Sequence, residues 1–464
     1  MVTPPTGSSF ASIAGTSGTD SGVAAIVVAA VVLCGSVAGA LAGIEPFATW
    51  LYPLAWYPTL VILEAAVASR GGRFFVGRTA FLASALAWSV PFWLFFEILN
   101  LRLENWYYVF LPRDAAARWF GIALSFATVI PAVLVVERLL DSLRIAEALR
   151  IPRLRLARGW ILPTLGALML ALALAWPRAL YPLVWGGVFL VIDPWVLRRA
   201  PERSLLGDLE RGRPGRIFRL LAAGLAVGLL WEAFNIGARG KWIYTVPGFE
   251  GFKLFEMPVA GFLGFPFFAL EAFAVWQALV VAGLAAPAEE RDAPAVGRSG
   301  TSMGGVLPAP ARPAAVVATA LAAAVFSAVS IAAMHTKTIA SLVPTLADLG
   351  APVARLERVG IDDPWQLADA DPVDLAARLR TDADTARMWV ERARLSILRG
   401  IGADSAWRLE SVGIESVEEL AGAEPERLVR QLRAAGAPAE PARIRVWVRA
   451  ARETDRRSAT RPSS

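Results

Sequence analysis

The chain has 464 residues, of which 56% are hydrophobic and 19% are charged, and its mean hydropathy is +0.51. A water-soluble protein of this length does not need so much apolar surface to fill its core, so the composition indicates an integral membrane protein. The single cysteine, Cys34, excludes an internal disulfide, and with the single histidine, His335, it argues against a metal centre. We expect no metal and no cofactor.

Apolar runs approach the roughly 20 residues that a helix needs to cross a bilayer. They lie at about 22–44, 48–69, 80–100, 117–137, 160–177, 179–197, 217–237, 257–285 and 313–334. Residues 1–20 contain no Lys or Arg, so we expect a disordered amino terminus rather than a cleaved signal peptide. The predicted fold class is all-α, with eight helices in a membrane bundle over 21–285 and a ninth at 313–337.

The membrane part contains the same segment twice. Residues 51–56 recur in similar form 129 residues later at 180–185, and Glu97 recurs 135 residues later as Glu232. Pairing these blocks leaves the first helix alone and groups the other eight as four plus four. Because four is an even number, the two units are predicted to run in the same direction through the membrane, as a parallel repeat.

The arginine distribution predicts how the bundle is oriented. Arginines cluster after the second, fourth and sixth predicted helices, within 70–78, 138–158 and 198–219. Loops rich in Arg and Lys stay in the cytoplasm. We therefore expect a protein of the plasma (bacterial inner) membrane with a cytoplasmic amino terminus and an extracytoplasmic carboxyl-terminal domain.

Polar and aromatic residues cluster at the outer ends of the third and seventh predicted helices. They are Glu97, Asn100, Trp106 and Tyr108 in the first copy and Glu232, Asn235, Trp242 and Tyr244 in the second. The three-residue spacing places each carboxylate and amide on one helical face. Glu271 adds an acid near the middle of its own apolar run. Acids inside a membrane suggest a functional site, although an aromatic belt with an interhelical Glu–Asn lock would give the same pattern.

The second copy also carries an ordered set of polar, aromatic and proline residues. It comprises Glu232, Asn235, Trp242, Tyr244, Pro247, the segment Phe255-Glu256-Met257-Pro258 and the segment Phe265-Pro266-Phe267-Phe268. This order resembles the membrane domain of carotenoid lycopene cyclases of the duplicated, non-flavoprotein type. The resemblance implies one site between two similar membrane units, with carboxylates that protonate a polyene end group. The family's paired glutamates are absent after Pro258, so the resemblance implies an apolar, isoprenoid-like ligand rather than a defined reaction.

A soluble domain is predicted over 338–453, after a flexible linker at 286–312 and before a disordered tail at 454–464. Residues 359–361 recur as 412–414, an offset of 53, so this domain is duplicated too. The segment around Gly400, Ile401 and Gly402 resembles the hairpin of a helix-hairpin-helix motif. That resemblance implies a backbone site in which amides at a helix start hold a phosphate.

The sequence leaves the function of this domain open. Residues 338–464 contain 19 arginines and 20 acids, so no overall positive field draws nucleic acid to them, and nucleic acid is the less favoured partner. We expect a scaffold or assembly protein in contact with membrane lipid, whose soluble domain binds a protein partner or self-associates. The alternatives are a lipid- or isoprenoid-acting membrane protein and a membrane-anchored, nonspecific DNA-binding protein; whether the chain is an enzyme stays open.

Overall fold

The computed structural model describes residues 17–71, 79–156, 159–246, 253–287 and 312–460. Most of the predicted amino-terminal segment, most of the predicted linker and the last four residues of the predicted tail lie outside the described residues.

Helices long and apolar enough to cross a membrane make up most of the amino-terminal two thirds of the chain. In the described residues there are eight, which are Gly22–Leu41, Phe47–Ala68, Thr79–Leu103, Ala115–Ser142, Pro177–Arg199, Gly215–Gly237, Val259–Val281 and Pro313–Lys337. A further apolar helix, Ile161–Ala175, falls short of that length. The expectation of a mostly helical, multi-pass protein is therefore confirmed at this coarser level.

Several of these spans are interrupted. The helices of the membrane part are α1 (Ser17–Leu41), α2 (Phe47–Ala68), α3 (Thr79–Leu103), α4 (Ala115–Phe126), α5 (Val129–Ser142), α6 (Ile161–Ala175), α7 (Pro177–Leu180), α8 (Val184–Arg199), α9 (Leu205–Glu210), α10 (Gly215–Gly237), α11 (Gly264–Val281) and α12 (Pro313–Lys337). The break between α4 and α5 precedes Pro131, which a helix tolerates only in its first turn. Within α8, Trp185 and Gly186 have non-helical backbone angles, so this span is kinked near its start.

Close helix pairs recur along the bundle. Helix α1 packs along α2, and α6 packs along α8 in the same way. Both pairs meet at glycines, because Gly39 lies against the ring of Phe47 and Gly166 lies against the backbone of Gly187. Small residues let membrane helices approach closely. Helices α2 and α5, and likewise α8 and α11, pack beside each other around a common apolar core.

The all-α expectation missed a β ribbon at one end of the bundle. The strands are β1 (Trp106–Val109), β2 (Lys241–Tyr244), β3 (Lys253–Leu254) and β4 (Met257–Pro258). Strand β1 follows α3 and pairs antiparallel with β2, which follows α10, with Trp106 opposite Tyr244 and Val109 opposite Lys241. Apart from Lys241, these two strands consist of aromatic and β-branched residues that favour extended backbone. The chain after α12 adds to the edge of β1, where the Tyr108 amide donates to Thr338 O at 2.7 Å.

The carboxyl-terminal domain consists of short helices in two successive groups of four. They are α13 (Val353–Glu357), α14 (Pro364–Asp369), α15 (Pro372–Leu379) and α16 (Ala383–Ile397), then α17 (Ala403–Glu410), α18 (Val417–Gly422), α19 (Pro425–Ala434) and α20 (Pro441–Thr460). Side chains cap matching helices in the two groups: Asp363 caps α14 as Ser416 caps α18, and Asp371 caps α15 as Glu424 caps α19.

Both predicted disordered ends are partly helical. Residues 17–20 belong to α1, and residues 454–460 continue α20. Neither stretch contains a proline, and the first proline after α20 begins is Pro462, so nothing in the local sequence stops these helices earlier.

The carboxyl-terminal domain docks on the β ribbon through a shared apolar core. Tyr107, Val109 and Ile243 of the ribbon are buried in one cluster with Ile401 and Trp447 of the domain. Ion pairs surround this contact. They join Arg113 to Asp348, Arg399 to Glu256, and Arg239 to Asp363.

The ribbon and the arginine-rich loops lie at opposite ends of the bundle. Helix α3 ends at the ribbon, and α4 begins beside it and continues as α5 to the other end. There, the loop after α5 meets the loop between α9 and α10, because the amide of Ile151 donates to Gly212 O at 3.1 Å. The docked domain therefore lies on the face away from these loops.

Gly400→Ala should weaken the docking of the carboxyl-terminal domain. Gly400 has φ +73°, and an added Cβ would lie 2.3 Å from the Val109 Cβ. Gly413→Ala is the matched control, since Gly413 has φ +82° and an added Cβ would meet nothing within 4 Å. The positive φ alone costs about 1–2 kcal/mol in either variant, and the clash adds about 1–3 kcal/mol only at Gly400. The melting temperature, and the rate of proteolysis within 338–342, the segment that adds to the edge of β1, measure the difference between the variants. Equal effects of the two substitutions would contradict the docking.

Candidate functional site

An apolar chamber of about 140 Å³ lies between the two halves of the bundle, below the β ribbon. Four of the predicted site residues line it, namely Trp106, Tyr108, Trp242 and Tyr244. Trp93 of α3 and Trp231 of α10 add two more aromatic walls. Apolar, aromatic cavities with few polar groups are typical small-molecule sites.

Glu97 lies behind this wall and is fully buried. Its Oε1 accepts three hydrogen bonds, from the Trp93 indole at 2.9 Å, the Trp106 indole at 3.0 Å and the Tyr108 hydroxyl at 2.5 Å. Its Oε2 has no hydrogen-bond partner among the described residues. The carboxylate therefore fixes the orientation of three aromatic side chains whose other faces form the chamber.

Glu232 occupies the corresponding place in the second copy. It is fully buried, and its Oε1 accepts from the Tyr244 hydroxyl at 2.8 Å. In the part of the chain that the structure describes, its Oε2 and the indole nitrogens of Trp231 and Trp242 have no hydrogen-bond partner. The second copy thus keeps the acid–tyrosine pair of the first and lacks its two indole donors.

The two asparagines connect each helix to the strand that follows it. Asn100 donates to Trp106 O at 2.9 Å and accepts from the Asn105 amide at 2.9 Å. Asn235 donates to Trp242 O at 3.0 Å and accepts from the Trp242 amide at 3.0 Å. An amide side chain can donate and accept at once, whereas an ionised carboxylate can only accept. These residues set the turn from helix to ribbon and do not line the chamber.

Glu271 has a separate role at the kink of α8. It is fully buried, and its Oε1 accepts from the amides of Gly186 at 2.8 Å and Val188 at 3.0 Å. Amides at a helix start lack intrahelical partners, so a carboxylate there stabilises the restart of the helix. Glu271 therefore holds the backbone beside Trp185, which lines the chamber.

The acids near the other end of the bundle are satisfied by nearby donors. Glu64 pairs with Arg138 at 2.7 Å, and Glu137 pairs with Arg219 at 2.8 Å. Within the described ranges, no group of three or more His, Cys, Asp and Glu is placed to hold a metal ion.

The hairpin glycines of the carboxyl-terminal domain face the chain's own membrane part. Gly400 packs on Val109 of β1, and Gly402 packs on Ser341. The amide of Ile401 donates to Leu398 O at 3.0 Å, and the amide of Gly402 donates to Ser396 O at 2.8 Å. The predicted backbone site for a phosphate is therefore covered, and two of its amides are already used within the hairpin.

Sequence reasoning missed part of the chamber wall. Tyr52 and Tyr181 both line it, and they are equivalent positions in the repeated segment at 51–56 and 180–185. The repeat itself was the signal for these two residues. Phe265 and Phe268 of α11 also line the chamber; both lie in the segment that carries the cyclase resemblance.

Tyr108→Phe should destabilise the protein, and Tyr107→Phe should not. The first change removes a hydrogen bond to a buried carboxylate, a loss of about 1.5–3 kcal/mol. The neighbouring Tyr107 hydroxyl is buried but has no hydrogen-bond partner among the described residues. The free energy of unfolding, measured for both variants in the same detergent, should separate them; equal losses would argue against the Glu97 contact.

Comparison with known proteins assigns only the carboxyl-terminal part. Residues 350–453 match DUF4332, a domain of unknown function. The match covers most of α13–α20 and none of the membrane part. No curated protein and no solved structure is significantly similar to the chain.

Proposed function

We propose that this protein is a multi-pass membrane protein that binds an apolar, isoprenoid-like lipid in the chamber between its two halves. The observation that carries the proposal is the wall of the chamber, which is built from aromatic rings held by buried hydrogen bonds. A ligand in such a chamber gains from burial of its apolar surface and needs few polar contacts.

The fixed orientation of the wall favours binding. Trp93, Trp106 and Tyr108 converge on one oxygen of Glu97, so their rings are held in place before a ligand arrives. Edge-to-face contacts connect these rings to the other half of the wall. The ring centroids of Trp93 and of Phe268 in α11, for example, are 5.5 Å apart. Preorganised walls lower the cost of ordering that binding otherwise carries.

The positions of the acids favour a binding role over acid catalysis. Glu97 and Glu232 lie behind the aromatic wall and not among the residues that line the chamber. A general acid has to reach the atom that it protonates. In this proposal the lycopene cyclase resemblance therefore extends to the chemical class of the ligand and not to the reaction.

We also propose a division of the membrane part into two units, α1–α5 and α6–α11, with α12 outside both. The packing of α1 on α2 and of α6 on α8 supports it, as does the position of α12 beside α3. This division differs from the one expected from the sequence, which left the first helix alone. Each unit then contributes one Glu-Asn helix and one strand.

In this proposal the carboxyl-terminal domain is a tandem helix-hairpin-helix domain that caps the chamber. The positive φ of Gly400 and Gly402 and the two groups of four helices support that fold. Its partner is the chain's own ribbon, since the hairpin packs on Val109. A DNA phosphate or a separate protein at the hairpin would first have to displace this contact. The arginine-rich loops at the far end of the bundle support an extracytoplasmic position for the cap.

Ser125→Phe should block the chamber. Ser125 lines it, and a phenyl ring there competes with the ligand at a cost of about 1–3 kcal/mol, which lowers occupancy roughly tenfold. Ala123→Phe, on the same helix and outside the chamber lining, is the matched control. Mass spectrometry of lipids that co-purify with each variant tests the proposal. Equal lipid content in wild type and both variants would count against it.

Glu97→Gln should leave ligand binding within about threefold of wild type, which is below ~0.7 kcal/mol. Glutamine keeps one oxygen to accept the three donors and places its amide at the position of the partnerless Oε2. Glu97→Ala leaves those donors without an acceptor and should lower the free energy of unfolding by about 2 kcal/mol or more. Loss of ligand from a fully folded Glu97→Gln protein would show that the acid acts on the ligand directly.

A further inference from the structure

We propose that the lipid in the chamber is anionic and that Arg118 binds its head group. This inference rests on the proposed function and names the chemistry of the ligand: an apolar chain that ends in a phosphate or carboxylate. Arg118 lies in the first turns of α4 and lines the chamber.

The guanidinium of Arg118 is held in place by the backbone. Its Nη1 donates to Pro112 O at 2.6 Å and to Arg113 O at 2.7 Å. Its Nε is buried and has no hydrogen-bond partner in the described part of the chain. The Nη2 of the same guanidinium is not buried and also makes no hydrogen bond within the described residues, so an anionic head group at the rim would supply it with an acceptor.

The charges around the chamber leave Arg118 uncompensated. The other cation in the lining, Lys241, lies 3.3 Å from the buried carboxylate of Glu256. The acid nearest to Arg118 in sequence, Asp114, accepts from the Ala117 amide at 2.7 Å as the cap of α4. No ion pair joins Arg118 to a carboxylate of the described residues. The rim of the chamber therefore carries a positive charge that a bound anion would neutralise.

The position of Arg118 along its helix is suited to binding a lipid head group. The apolar span that contains it begins at Ala115, so Arg118 lies about one turn from the end of that span, and arginine side chains near the ends of membrane helices meet lipid head groups. The aromatic wall formed by Trp93 and Trp231 lies deeper between the halves. An amphiphile would thus have its head at Arg118 and its chain along the indoles.

The test measures equilibrium binding of two radiolabelled probes, geranylgeranyl phosphate and geranylgeraniol, to the full chain in phosphatidylcholine nanodiscs. The phosphate should bind wild type about tenfold more tightly than the alcohol, as one charge-assisted contact provides. Arg118→Gln should remove this preference, because the affinity for the phosphate falls to about that for the alcohol. Arg118→Lys should keep part of it, which preserves the test if Arg118→Gln does not fold. Arg102→Gln is the control, because Arg102 is exposed at the end of α3 and outside the lining.

The outcomes separate the two proposals. Equal affinity of wild type for both probes, or an unchanged preference in a folded Arg118→Gln, overturns the anionic head group while the apolar chamber stands. Absence of binding by either probe overturns the proposed function and this inference with it. Competition by phosphatidylglycerol in the nanodisc identifies a bilayer lipid as the source of the anion, and lack of competition identifies an isoprenoid phosphate; both results support the role of Arg118.

Discussion

The pairing of β1 with β2 is the interaction on which the rest of the structure depends. Because side chains alternate along a strand, Trp106 and Tyr108 face the chamber, while Tyr107 and Val109 face the carboxyl-terminal domain. One short ribbon therefore joins the two membrane halves, orients the chamber wall and provides the docking surface. The buried acids and asparagines at the ends of α3 and α10 act mainly to hold this ribbon in place.

The helical framework could be predicted from the sequence because a membrane helix leaves a local signal. Runs of apolar residues indicated the membrane helices, and the recurrence of residues 359–361 at 412–414 predicted the duplication in the tail. The ribbon left no comparable signal. Its strands lie 135 residues apart, and their pairing depends on how the helices before them pack. The kink at Gly186 depends on a tertiary contact in the same way, because Glu271 accepts a hydrogen bond from the Gly186 amide.

The sequence could indicate which residues gather at the candidate site but not which of them form the wall of the chamber. Sequence spacing places Glu97 and Asn100 on one face of a helix, and the structure agrees that both point toward the ribbon. Spacing carries no information about which side chain forms the wall and which lies behind it. The sequence grouped the aromatic residues and the acids in one candidate site, or alternatively in an aromatic belt with a Glu–Asn lock; in the structure the aromatic residues lie between the acids and the chamber. The hairpin glycines were predicted from local backbone chemistry, whereas their contact with Val109 is long-range.

The ladder between β1 and β2 also restricts how the two halves can move. Transporters built from repeats open alternately to each side by rocking one unit against the other. Here four residue pairs bridge the units at one end, and the Thr245 hydroxyl of the second half donates to Glu104 O of the first. Rocking would break these bonds and pull the docked domain away from its apolar core. For the proposed lipid-binding role, the ladder therefore favours a chamber of fixed shape over alternating access by the two halves.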